Sequence, residues 1–541
     1  MDLTACPYAL TRRTLLTAAA AATATAGLAL APAASASPAA SAAPSAATSL
    51  RGSREIQGDI LAGFRRSRAE LLLLTFGPAD TARRWLAALV PRLATTADVT
   101  AVNDRVAAHA HQGQPDPGAM SVLWTGLALT HDGLAHLAGR DPLPVAAVGG
   151  TAEAFRRGPA ARAALLGDTG PSAPGSWLFG GPTRPTVHAV LTVAADHPGR
   201  LAAAVTAALS DAGQHGLRLV HRQPAAALPG EREHFGFRDC ISQPGVHGYD
   251  PADPAHPDQV AGAPGTRLVP AGEFLVGHPR AHGLPSGLPS WARDGSFLVV
   301  RRLAQDVPGW WAQIRSRLTT LQAVGTAPAD APPEWLGARL VGRWPSGASL
   351  AAHPHADPGT GRTPDNDIGY ATDPDGWTTP LFAHIRKSNP RDGLVLAPGS
   401  RPLPAAQLDG HRIIRRGLPY GAPFLPGHDS GPNGPTAARG MVFLSHQADL
   451  VAQFEFIQRA WIDAPDFPPA RTPKPGTDPV LGPDSPIAFE TPAPSGTGSR
   501  VTPLHFTRFV RTEGTLYAFT PTLPVLTALA AGRLDTTPLP H

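Results

Sequence analysis

The 541-residue chain carries a formal charge of +4, and only 16% of its residues are charged. So small and dispersed an excess excludes a nucleic-acid surface as the expected function. The length allows a sizeable core and makes two domains the starting expectation, while 61 prolines point to many ordered loops, because proline fits neither helix interiors nor central strands.

In chain order, Thr11-Arg12-Arg13-Thr14-Leu15-Leu16 precedes an apolar stretch from Ala18 to Ala31, and Ala34-Ser35-Ala36 offers a small-residue cleavage site. Residues 1–36 therefore read as a twin-arginine-type signal peptide, although Thr11 and Leu15 depart from the commonest serine and phenylalanine. The twin-arginine export machinery is then an expected partner, and the mature protein is expected to be secreted or extracytoplasmic. Residues 37–54, rich in Ala, Ser and Pro, read as a flexible leader. Cys6 falls in the removable segment and leaves Cys240 alone, so no intramolecular disulfide is expected in the mature chain. No later stretch is long and apolar enough for a stable membrane span.

From Ile56 onward, β-type runs alternate with amphipathic ones. Glu70 to Phe76 reads as a buried strand, Thr81 to Leu93 as a helix, Ser121 to Leu129 as a strand and Gly133 to Gly139 as a helix. Val187 to Ala194 reads as a strand, Leu201 to Ala212 as a helix and Phe274 to Gly277 as a short strand. The second half repeats the grammar, with strands over Ser296 to Leu303 and Gly440 to His446 and helices over Trp310 to Leu321 and Leu450 to Trp461. Pro-, Gly- and Asp-rich stretches from His353 to Trp377 and from Ala464 to Arg500 read as loops. The expected class is α+β, with an N-terminal ferredoxin-like domain over 55–290 and a C-terminal one over 291–541, each an antiparallel sheet with peripheral helices.

Four unusual strings occur in a fixed order: Phe235-Gly236-Phe237-Arg238-Asp239-Cys240, Leu381-Phe382-Ala383-His384-Ile385-Arg386-Lys387-Ser388-Asn389-Pro390-Arg391, Ile413-Ile414-Arg415-Arg416-Gly417-Leu418-Pro419-Tyr420-Gly421, and Gln453-Phe454-Glu455-Phe456-Ile457-Gln458-Arg459-Ala460-Trp461. Together they resemble the dye-decolorizing (DyP-type) peroxidase family. The resemblance spans most of residues 55–530, including Arg339 to Gly347 and Thr477 to Gly482, and implies the dimeric α+β barrel type of fold. It also implies one haem b per chain and an enzyme using hydrogen peroxide to oxidise bulky donors such as dyes or phenolics.

A haem peroxidase needs an imidazole on one face of the iron and an open position on the other. His384 is the candidate proximal ligand, placed just before Asn389-Pro390, where a helical turn is expected to end. Arg386 in the same segment is a candidate partner for a haem propionate. On the open face the resemblance implies that Asp239 moves the peroxide proton and that Arg415 stabilises the separating charge and contacts the cofactor. Arg416 would point to the opposite face of a strand, so one of the two arginines should face the pocket. A ligating histidine usually donates its other ring N–H to an acceptor; Glu455 and Asp449 are candidates, and Glu455 is favoured.

The family pattern breaks at Cys240, which stands where glycine is expected. If that position needs φ > 0, cysteine costs about 1 kcal/mol or more and could displace Asp239. A thiol there could also be oxidised. An alternative reading is therefore an extracytoplasmic haem-binding protein for iron release or uptake with weak peroxidase activity. The electron donor and the oligomeric state are not legible in the sequence.

Overall fold

The run Leu71-Leu72-Leu73-Leu74 is apolar at every position because both faces of its strand are covered. Leu71 and Leu73 pack with Leu298 and Val300, whereas Leu72 and Leu74 pack with Trp85, Leu86 and Phe297. The computed structural model describes residues 49–111, 121–143, 150–281, 287–359, 366–397, 399–428, 430–493 and 498–539. The residues read as a signal peptide, 1–36, and residues 37–48 of the stretch read as a leader lie outside the described residues.

Strands β1 (Arg68–Thr75), β2 (Leu123–Leu129), β3 (Ala189–Ala195) and β4 (Arg218–Ala226) form an antiparallel ladder in the order β4-β1-β3-β2. A small sheet of β5 (Gly245–Val246), β6 (Gln259–Val260) and β7 (Ala263–Val269) follows. The second half supplies β8 (Ser296–Gln305), the short β9 (Ile414–Arg415) and β10 (Leu418–Tyr420), β11 (Gly440–Gln447), the hairpin β12 (Ser485–Pro492) and β13 (Ser499–Phe506), and β14 (Val510–Thr520). Its ladder runs β10-β11-β8-β14, with β9 also on β11. Counted within each half, both ladders have the ferredoxin-like order 4-1-3-2. They join into one sheet where Phe519 of β14 pairs with Leu129 of β2. This is the expected α+β class of antiparallel sheets with helices, and the ladder is not closed among the described residues.

Helix formation follows amphipathic spacing and caps. Ala79–Leu89 buries Ala82, Trp85, Leu86 and Leu89, one stripe against β1 and its neighbours. Val307–Ala323 begins at Asp306, whose Oδ1 accepts from Gly309 N at 3.0 Å, and buries Trp310, Ile314 and Leu318. No helix among the described residues is long and apolar enough to cross a membrane.

Five features differ from expectation. The polar-edged β4 and the long β14 are strands that the sequence pattern did not reveal, and β12–β13 lies within the stretch read as a loop. Phe274 to Gly277 is no strand: it turns after a 3-10 segment, with Leu275 N on Ala271 O, while Phe274, Leu275 and Val276 are buried. Leu450 to Ile462 is helical as expected but wound as a π-helix, a widened form that often accompanies functional sites.

Alternation along β8 positions the site. Leu298 and Val300 point between the two ladders, Phe297 and Val299 toward the outer helices, and farther along that outer face Arg301, Leu303 and Gln305 line a cavity.

Candidate active site

The cavity has a volume of about 1180 Å³ and is lined by Asp239, His384, Arg391, Arg412, Arg415 and residues of the π-helix, among others.

His384 opens the helical turn His384–Ser388. Its Nδ1 lies 2.7 Å from Asp478 Oδ2 and donates to it. Asp478 is fully buried, and its other oxygen accepts from Val480 N at 2.7 Å and Leu481 N at 3.1 Å, so its orientation is fixed. Burial alone would lower the His384 pKa, but the charge of Asp478 and the hydrogen bond to it together outweigh burial and raise it. With Nδ1 committed, Nε2 is the nitrogen left to bind a metal.

Asp239 and Arg415 meet on the loop after β4 and on β9. Arg415 Nη1 donates to Asp239 Oδ1 at 3.0 Å, and the same oxygen accepts from Cys240 N at 2.6 Å. Gln243 clamps the Arg415 backbone, accepting from its N at 3.1 Å and donating to its O at 3.3 Å. Burial would raise the Asp239 pKa, but Arg415 reverses this and holds the carboxyl below its ordinary value. The carboxyl is therefore ionised at neutral pH and able to accept a proton. Behind it Glu233 accepts from Phe235 N at 2.8 Å, Phe237 N at 2.9 Å and Gln305 Nε2 at 2.7 Å, and burial pushes it up to about 7.

The structure brings His384, Asp239 and Arg415 to one cavity, near enough that both of the latter act on the His384 charge. It does not bring Glu455 there. Glu455 is buried against Arg162 and accepts from Tyr517 Oη at 2.9 Å, so the acceptor on His384 is Asp478 instead. Asp449, the other candidate, caps the π-helix through Val451 N and Ala452 N, both at 2.9 Å. Arg386 is also placed elsewhere: it is buried over the Tyr370 ring and donates to Asp373 Oδ2 at 3.1 Å and Thr379 O at 2.7 Å, outside the cavity wall. Among the cations on the wall are Arg391, whose side-chain hydrogen-bond partners are all neutral, and Arg412, whose guanidinium has no hydrogen-bond partner among the described residues. Burial, and then Arg391, pull Arg412 down to about 10, and the charge of Asp409 only partly offsets them.

Arg415 and Arg416 point to opposite sides of β9, yet both border the cavity, so the expectation that one alone would face it does not hold. Arg416 is spent on the carbonyls of Asp59, Ile60 and Leu61. Cys240 has φ +60°, so the position does favour glycine. Cys240 lies on the cavity wall, where desolvation and then the charge of Asp239 push its thiol up to about 11, which keeps it protonated at neutral pH and poorly reactive.

Residues 55–225 match the model of the DyP dimeric alpha+beta barrel domain. Peroxidase 2 of Mycetinis scorodonius is 30% identical over 507 residues, covering 87% of this chain and 86% of that protein. The chain belongs to the dye-decolorizing peroxidase family. Among solved structures, a DyP in complex with 2,6-dimethoxyphenol superposes with a TM-score of 0.71 at 27% identity, covering 90% of this chain and all of that one. Another, described by its engineered heme pocket and asymmetric sulfoxidation, superposes at 0.69 with 28% identity, over 88% and 99% of the two chains. DyP-type peroxidases are haem enzymes, and the residues of this one fit that group. A histidine with Nε2 left to bind, two wall arginines without hydrogen-bonded carboxylate partners and a cavity somewhat larger than the about 300–1,000 Å³ usual for ligand pockets are what a dicarboxylic macrocycle requires. Asp478 could have been suspected from the string Thr477-Asp478-Pro479, since an Asp whose side chain caps the following backbone is a fixed acceptor. No comparable signal singled out Arg412.

Proposed function

We propose that this DyP-type peroxidase is exported, holds haem b through His384, and uses hydrogen peroxide to oxidise bulky organic donors such as dyes and phenolics. The observation that carries the reading is the pairing of His384 with Asp478 and of Asp239 with Arg415 on one cavity. When bound, haem supplies a redox-active iron at which the peroxide O–O bond is cleaved.

The residues supply the rest. His384 Nε2 would ligate the iron, and the bond from Nδ1–H to Asp478 fixes the tautomer and strengthens the ligand's electron donation. Arg412 and Arg391 would hold the propionates, in place of Arg386. Ionised Asp239 takes a proton from one peroxide oxygen and returns it to the other, so that water can leave. Arg415 keeps Asp239 ionised and stabilises the negative charge that develops as the bond breaks. The charge on Asp239 survives to a lower pH than that of an ordinary aspartate, which favours turnover in mildly acidic medium.

The test is haem loading. His384→Ala should lose haem, and retention of full loading with an unchanged Soret band would remove His384 as the ligand. Incubation of the wild type with haem also addresses the alternative reading of iron release: appearance of iron-free porphyrin would favour it over peroxidase turnover.

A further inference from the structure

Strand alternation that sends Arg415 toward Asp239 sends Ile414 and Arg416 to the other face, and His446 of β11 stands cross-strand from Ile414. His446 is 1% exposed, yet its Nδ1 has no hydrogen-bond partner. Its Nε2 lies 3.8 Å from Asp59 Oδ2, too far for a hydrogen bond, and Asp59 Oδ1 is likewise unpartnered. Buried polar groups are normally satisfied, so an acid and an imidazole left open side by side require an explanation. Both line the cavity, as do Phe64 and Arg416. Next to them Gly126 lets both groups seat closely against β2: a Cβ there would fall only 3.2 Å from Asp59 Oδ2 and 3.1 Å from the Phe64 ring, so one of them would have to give way. Gly126 has no positive φ, so this close approach of the Phe64 ring and the carboxylate, and not backbone conformation, is what its missing side chain permits.

We propose that Asp59, His446, Phe64 and Gly126 form a donor subsite for phenols, distinct from the peroxide face at Asp239 and Arg415. The phenolic hydroxyl meets Asp59 Oδ2, the ring packs on the cavity side of Phe64, which Gly126 lets seat beside the carboxylate, and His446 stands behind Asp59 as a positioning residue. The inference rests on the peroxidase reading and extends it to where the donor binds. In the step itself the phenolic O–H bond breaks, its proton passes to Asp59, and its electron passes to the haem that peroxide has oxidised. A phenoxyl radical leaves. Two such events consume one hydrogen peroxide and yield two waters. Burial raises Asp59 to about 6 against its local backbone hydrogen bonds and Arg416, which leaves it mostly ionised and still basic at neutral pH. Burial and Arg416 push His446 down to about 3, so the imidazole stays neutral and does not neutralise the acceptor.

The experiment compares 2,6-dimethoxyphenol with ferrocyanide, a one-electron donor that has no proton to lose, in haem-loaded wild type, Asp59→Asn and Gly126→Ala. The ratio of kcat/KM for the phenol to that for ferrocyanide should fall at least about tenfold in Asp59→Asn, given that a positioned proton acceptor is worth ~10²–10⁴ in rate. Asp59→Asn should act mainly on kcat, and Gly126→Ala, whose methyl group would press the Phe64 ring out of its seat, mainly on KM. A ratio within about twofold of wild type in both variants would overturn the subsite. Wild type that oxidises neither donor with peroxide would instead overturn the peroxidase reading beneath it.

Discussion

Replacing Asp478 with Asn keeps the volume and can keep the bonds from Val480 N and Leu481 N, because the amide oxygen can accept both. The remaining NH₂ then faces His384 Nδ1, where a carboxylate had accepted. Two donors cannot share that contact, so His384 is driven to carry its proton on Nε2, the nitrogen needed for iron. The lost bond to a charged acceptor is worth ~1.5–3 kcal/mol. That matches the ~10–100-fold loss of metal affinity typical when such supporting partners are changed. Titration of apo-protein with haem, followed at the Soret band, should therefore show Asp478→Asn binding about 10–100-fold more weakly. Unchanged affinity in a folded variant would refute the argument. The same pair has a signature without haem. His384 has a raised pKa when folded, against an unfolded value near 6.5. Its stabilisation is fully present below the unfolded value and is lost as pH rises through the folded one. The stability gap between wild-type and Asp478→Asn apo-protein should accordingly narrow as pH rises through neutrality, by urea unfolding; a gap that widens would contradict the ion pair.

Arg412→Ala and Arg386→Ala separate cofactor contact from folding: the first should weaken haem binding with little change in stability. The second should leave Asp373 without its buried partner and cost ~3–5 kcal/mol in urea unfolding; the reverse pattern would restore Arg386 as the propionate partner. Cys240→Gly removes a side chain from a residue at φ +60° and should raise stability by about 1 kcal/mol, and a fall in the urea midpoint would show that the cysteine is well accommodated. Arg415→Leu leaves Asp239 without the cation that holds its pKa down. The acid limb of peroxide reactivity, measured by stopped flow, should then move to higher pH, and an unmoved limb would remove Arg415 from that role. Leu72→Ala opens a cavity between β1 and its covering helix and should cost ~2–5 kcal/mol, measured by thermal unfolding, whereas an unchanged midpoint would dispute that packing.

Much of the fold was legible where one force dominates. Leu71 to Leu74 must be a strand covered on both faces, and Trp310, Ile314 and Leu318 must be a helical stripe, because only those periods bury them. β4 was not legible: an edge strand whose burial is mostly partial has neither clean alternation nor an apolar run. β14 was missed although largely buried, since Arg511, Glu513 and Gly514 interrupt its alternation, and the ladder shifts register between Thr512 and Gly514. His384, Asp239 and Arg415 could be singled out because each sits in a distinctive string, but their supporting partners depend on approaches between distant segments. Glu455 lies in one of the strings, yet the structure spends it on Arg162 and Tyr517, while Asp478, 94 residues beyond His384, makes the bond. Arg386 failed for a related reason, since a basic residue next to a ligand can point inward, to Asp373.

The central claim is tested most directly by the visible spectrum of haem-reconstituted wild type and His384→Ala, before and after one equivalent of peroxide. The account predicts a ferric Soret band in wild type that changes on peroxide addition and returns when a phenol is supplied, and no specific haem spectrum in the variant. A wild-type band that peroxide leaves unmoved, or a variant that behaves as wild type, would contradict it.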